Sequence, residues 1–104
     1  MTLEELGAKL KTTGLPVTYR DWLENQQVPP LPFVCYLCQD HDSLFADGMV
    51  YYTFAYVQVE LYTVKKDLQT EAKVEAALTG FHWKKSEIYI DTERCYKITY
   101  EIEV

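Results

Sequence analysis

The chain is predicted to be an α+β domain, with two helices packed on a mostly antiparallel sheet of five or six strands. Three observations lead there. A helical apolar stripe opens the sequence, two-residue alternation runs through residues 55–63 and again through 96–104, and a capped helical stretch lies between those strands. The 104 residues form one domain, 1–104, because either half alone would bury too little surface to fold.

The elements follow in order. Leu3, Leu6, Gly7 and Leu10 share one helix face, Thr2 and Glu5 have capping-box spacing, and Gly14 is placed to end the helix. Residues 15–19 predict a short strand with Pro16 near its start, where no ladder hydrogen bond is lost. Pro29, Pro30 and Pro32 make 21–32 a loop. The apolar run 33–38 predicts a strand buried on both faces, and the polar residues 39–43 predict a connection. Asp47-Gly48 has the chemistry of a tight hairpin turn between two strand segments.

In residues 55–63, Ala55, Val57, Val59 and Leu61 alternate with Tyr56, Gln58, Glu60 and Tyr62, so the first set should meet the core. Asp67 is placed to cap a half-buried helix over 67–79, with Gly80 beyond its end. Two further strands, 82–90 and 94–104, complete the pattern. In the last, Tyr96, Ile98, Tyr100, Ile102 and Val104 oppose Lys97, Thr99, Glu101 and Glu103.

Composition narrows the function. The hydrophobic fraction of 48% and charged fraction of 25% suit a globular domain rather than a disordered tract. No run approaches the roughly 18 apolar residues of a membrane span. Glu4 and Glu5 stand where a signal peptide needs positive charge, so a cytosolic chain without a membrane partner is expected. Three cysteines, an odd number, read as reduced thiols. The net charge of -6 argues against tight, sequence-independent nucleic-acid binding, which needs cations to neutralise phosphates.

The sharpest chemical signal is Cys35-Tyr36-Leu37-Cys38-Gln39-Asp40-His41, two thiols and an imidazole at zinc-like spacing, with Cys95 or His82 as a fourth donor. A small zinc-binding adaptor is the alternative function this suggests. Cys35 and Cys38 should, however, point to opposite faces of their strand, and there is no second C-x-x-C, so free thiols and no metal are expected. Cys35 has no helix N-terminus to lower its pKa for redox work. His41 and His82 are the only imidazoles, and neither a P-loop, a dinucleotide glycine fingerprint nor HExxH occurs, so neither enzyme activity nor a cofactor is expected.

Glu60, Glu101 and Glu103 read as a solvated sheet face, or as an acidic lining along which DNA slides because like charge keeps phosphates from adhering. Tyr52, Tyr56 and Tyr62 fit a protein interface and cross-strand packing equally well.

Several phrases, taken in order, resemble the small tail-completion, or tail-terminator, proteins of long-tailed bacteriophages and prophages. They are Leu15-Pro16-Val17-Thr18-Tyr19-Arg20, Pro29-Pro30-Leu31-Pro32-Phe33, Phe45-Ala46-Asp47-Gly48, Glu60-Leu61-Tyr62-Thr63-Val64-Lys65-Lys66-Asp67, Lys85-Ser86-Glu87 and the segment 96–104 with its ending Tyr100-Glu101-Ile102-Glu103-Val104. The likeness spans Gly14 to the C-terminus, and the Cys35/Cys38 pair belongs to no part of it.

The resemblance implies a non-enzymatic virion assembly protein without a cofactor. Its partners would be itself in a ring, typically a hexamer, the major tail-tube protein below and a head-completion or connector protein above. DNA would pass through without specific binding. The chain would work in the bacterial host cytoplasm during assembly and end at the virion head–tail junction. Loops on a rigid sheet commonly carry binding, and ring closure needs two different patches. Assembly contacts are therefore expected at Trp22, Pro29 and Pro30, at Phe45, Asp47 and Gly48, and at Lys65 and Lys66.

Overall fold

The computed structural model describes residues 3–19, 28–46 and 49–103, with backbone alone at Leu3 and over 39–46 and 49–55. Its elements are α1 (Leu3–Lys11), β1 (Val17–Tyr19), β2 (Phe33–Ala46), β3 (Met49–Thr63), α2 (Leu68–Ala77), β4 (Trp83–Ile90) and β5 (Cys95–Glu103). The strands form one sheet in the order β1-β2-β3-β5-β4. Every pairing is antiparallel except β1 with β2. Two helices on a mostly antiparallel five-stranded sheet are the α+β architecture expected.

Helix α1 buries the predicted stripe: Leu6 and Leu10 are fully buried. Its final turn tightens as the amides of Thr12, Thr13 and Gly14 donate to the carbonyls three residues back, and Gly14 leaves with φ 81°. Gly7 is needed for a second reason. A Cβ there would collide with the hydroxyl of Tyr36 and stand 3.1 Å from its Cζ, so the helix lies directly on β2.

The β2–β3 ladder departs from expectation. Residues 39–43, expected as a connection, are strand, and each of residues 40–43 is paired across the ladder, from Asp40 with Tyr56 to Ser43 with Thr53. Backbone pairing with an equally long neighbour decides the matter, and side-chain polarity does not forbid it. Register shifts between Cys38 and Asp40 and between Leu44 and Phe45 absorb the irregularity. Ala46 pairs with Met49, and Asp47 and Gly48, expected as the turn, lie outside the described residues. The strand segment expected after the turn and the alternating run 55–63 are one strand, β3.

In β3 the alternation holds. Val57, Val59 and Leu61 are buried toward the helices, whereas Tyr56, Gln58 and Tyr62 face the other side. Asp67 caps α2 as expected: its Oδ1 accepts from the Thr70 amide at 3.1 Å and its Oδ2 from the Thr70 hydroxyl at 2.7 Å. The helix ends at Ala77, two residues before the expected limit, and Gly80 follows with φ 96°. Strands β4 and β5 form a hairpin in which Ile98, Tyr100 and Ile102 are buried and β4 is the outer edge.

The core lies between the helices and one sheet face: Leu6, Leu10, Val74 and Leu78 from above meet Val34, Val57, Val59, Leu61, Ile98, Tyr100 and Ile102. No helix among the described residues is long and apolar enough to cross a membrane.

The α1–β2 contact makes a test. Gly7→Ala should destabilise the protein by about 1–3 kcal/mol despite the better helix propensity of alanine. Adding Tyr36→Phe, which removes the colliding hydroxyl, should recover much of that loss in urea denaturation. Equal stabilities for the wild type and Gly7→Ala would show that the ring moves aside freely.

Candidate functional site

Those of the expected contact residues that are described fall at opposite ends of one ladder. Pro29 is half-buried and Pro30 exposed on the segment that leads into β2, close to where β3 ends, and exposed Lys65 and Lys66 follow that end of β3. Phe45, by contrast, sits at the far tip of β2, opposite Val50. Twelve residues of strand separate Phe33 from Phe45, about 40 Å at ~3.3 Å per residue, within a molecule 51 Å long. Trp22, Asp47, Gly48 and the side chain of Phe45 lie outside the described residues. The described contact residues thus form two separate groups.

Sequence reading missed a charged clamp near the first end. Glu71, on the sheet-facing side of α2, is only 1% exposed. Lys85 of β4 brings its Nζ to 2.6 Å from Oε1, and Lys66 approaches Oε2 at 2.9 Å while donating a hydrogen bond to Oε1 at 3.1 Å. Lys85 also meets Glu75 Oε2 at 2.8 Å, the oxygen that accepts the Tyr100 hydroxyl at 2.8 Å. Lys66 reaches on to Glu87. The clamp ties the β3–α2 junction, α2, β4 and β5 together.

The electrostatics follow from this geometry. Burial pushes the Glu71 carboxyl up, but hydrogen bonds from Lys85 and Lys66 outweigh it and hold it below the usual range. Lys85 holds Glu75 low as well, with help from Tyr100 against burial. Burial works against the Lys85 ammonium, yet Glu71 and Glu75 raise it overall, and Glu87 and Glu71 do the same for Lys66. A charge this deeply buried is tolerated only when answered by charge. Lys66, expected as an assembly contact, is therefore already engaged within its own chain.

On the sheet face away from the helices lies an open hollow of about 660 Å³. Its apolar floor includes Phe33, Cys35 and Leu37, Val28 to Leu31 wall it, and Glu60, Tyr62 and Glu93 give it a polar side. Glu60 was expected on a solvated face with Glu101 and Glu103. Those two are exposed, but Glu60 is 7% exposed, ion-paired to Lys97 at 3.0 Å and accepting from the Tyr62 hydroxyl at 3.1 Å. Burial, then the neighbouring Glu60 charge, pushes the Tyr62 hydroxyl well above the usual tyrosine value. Tyr62 also packs on its ladder partner Phe33, rings 5.2 Å apart, so it follows the cross-strand reading, while Tyr56 is exposed.

Cys35 pairs with Glu60 across the ladder and Cys38 with Val57, so their positions face opposite sides of the sheet. That geometry opposes a zinc knuckle, and no metal-like cluster occurs among the described residues. Burial, and then Glu93, raises the Cys95 thiol pKa, the reverse of what a reactive thiol needs. Neither a protein-family model nor a curated protein matches the chain.

The clamp predicts a two-sided pH dependence. Carboxyls held below their unfolded value stabilise the fold above about pH 4.3 and lose that contribution as pH falls through their folded values. Lysines held above theirs contribute below about pH 10.4 and lose it as pH rises further. Glu71→Ala removes the shared carboxylate but leaves Lys66 with Glu87 and Lys85 with Glu75, both lysines partly in solvent, so it should cost about 1–2 kcal/mol at neutral pH. It should also flatten both arms of the stability profile measured by denaturant titration.

Proposed function

We propose that this chain is a structural virion assembly protein that closes into a ring, of six copies in the expected form, on the end of a phage tail tube and offers the head its docking surface. The role is mechanical and needs neither cofactor nor catalysis. The ring would assemble in the bacterial host cytoplasm, remain at the head–tail junction, and let DNA pass without holding it.

The observation that carries this reading, beside the ordered phrases that resemble tail-completion proteins, is the reach of the β2–β3 hairpin. β5 pairs with β3 only from Tyr56 to Thr63, and β1 covers three residues of β2. From Asp40 to Ala46 and from Met49 to Ala55, the described backbone pairs only within the hairpin. A body with an arm presents two dissimilar ends on one rigid ladder. Head-to-tail closure requires such unlike patches, and a single compact patch does not provide them.

The first test is electron microscopy of particles from a host whose phage lacks only this gene. Overlong or headless tails beside filled, tailless heads are expected, and normal infectious particles would end the proposal. A narrower test replaces Phe45 and Asp47 with alanine. The double variant should keep the wild-type circular dichroism and thermal transition while infectious yield falls by orders of magnitude.

A further inference from the structure

The outer edge of the sheet is β4, eight residues long, free of proline, and exposed over seven of its eight residues. It carries three large apolar side chains that reach solvent, Trp83 at 37%, Ile88 at 55% and Tyr89 at 47% exposed. Its outer row of backbone donors and acceptors has no ladder partner among the described residues. A long, exposed edge of this kind is a template for another strand.

The residue pattern says which strand fits. Pairing with β5 sets Trp83, Lys85, Glu87 and Tyr89 on the helix side and Lys84, Ser86 and Ile88 on the other. Around Ser86 the helix-side sequence is nearly a chemical palindrome: aromatic, basic, acidic, aromatic. An antiparallel copy with Ser86 opposite itself therefore sets Lys85, whose ammonium also serves Glu71 and Glu75 of its own chain, against the partner subunit's Glu87 and Trp83 against the partner subunit's Tyr89. Opposite charges and aromatic pairs directly across a ladder are the favourable cross-strand combinations. On the other face Lys84 lies across from the partner subunit's Ile88, over which its aliphatic stem can extend.

Neighbouring registers fail. A one-residue slip brings opposite faces together. A two-residue slip in either direction puts Lys85 on Lys85 or Glu87 on Glu87. Edge lysines usually discourage strand addition; here each has a matched position across the two-fold axis.

We propose that β4 pairs antiparallel with β4 of a second copy about a two-fold axis at Ser86, joining two sheets into one. The contact is isologous and closes on itself. It goes beyond the ring reading and does not depend on it, because it uses the strand edge and none of the loops assigned to tube, head or ring contacts.

Sedimentation of the full chain over about a hundredfold range of concentration should show a monomer–dimer equilibrium. Glu87→Lys, which sets like charges opposite each other, should weaken it at least about tenfold. Because Glu87 also meets Lys66 within its own chain, a second measurement stands apart from that variant. Ser86→Cys should form an oxidised dimer about tenfold faster than Lys84→Cys, whose two copies would lie about 13 Å apart along the strands, with the wild type and its three cysteines as background. A monomer at every concentration overturns the proposal. So do equal cross-linking rates at the two positions, whatever the virion experiment gives.

Discussion

The buried carboxylate of Glu71 sets the terms on which helix and sheet meet. A negative charge excluded from water needs cations within reach, and this one takes them from two directions, Lys66 before the helix and Lys85 on the edge strand. Hydrophobic contact between Val74, Leu78 and the sheet supplies attraction without direction. The ion pairs supply the direction. They set the rotation of α2 about its axis and hold the outermost strand, which among the described residues has one ladder neighbour, beneath it.

One-sided helical cover leaves the two sheet faces with different duties. The covered face is apolar and packed. The other carries the Glu60–Lys97 pair, the Phe33–Tyr62 stack and the hollow walled by Val28 to Leu31. Cys35 and Cys95 are buried in the lining of that hollow.

Much of the fold was legible in the sequence because both periodicities are clean where burial enforces them. Leu6 and Leu10 announce α1, Val57, Val59 and Leu61 announce the register of β3, and Asp67 announces the start of α2. The long hairpin was not legible, since residues 39–43 carry no alternation and ladder pairing depends on a neighbour remote in sequence. Glu71 was hidden for a related reason. Its partners lie five residues before it and fourteen after it, on different elements, and nothing local marks them as converging. The dispersal of the expected contacts to two ends likewise became visible only once β2 was known to run on to Ala46.

Strand order has a consequence for how the chain reaches this structure. β2 with β3 and β4 with β5 are hairpins of neighbouring sequence, whereas the sheet is joined through β3 and β5, with α2 and β4 lying between them in the chain. Local pairs close cheaply and early, and the distant seam waits on loop-closure entropy. The natural order is two hairpins formed separately and then zipped along Tyr56 to Thr63. Since β3 and β5 also carry most of the core, the last contact to form is the one on which cooperativity rests. Half-folded chains would expose two sticky strand edges at once, a hazard that rises with crowding during rapid synthesis.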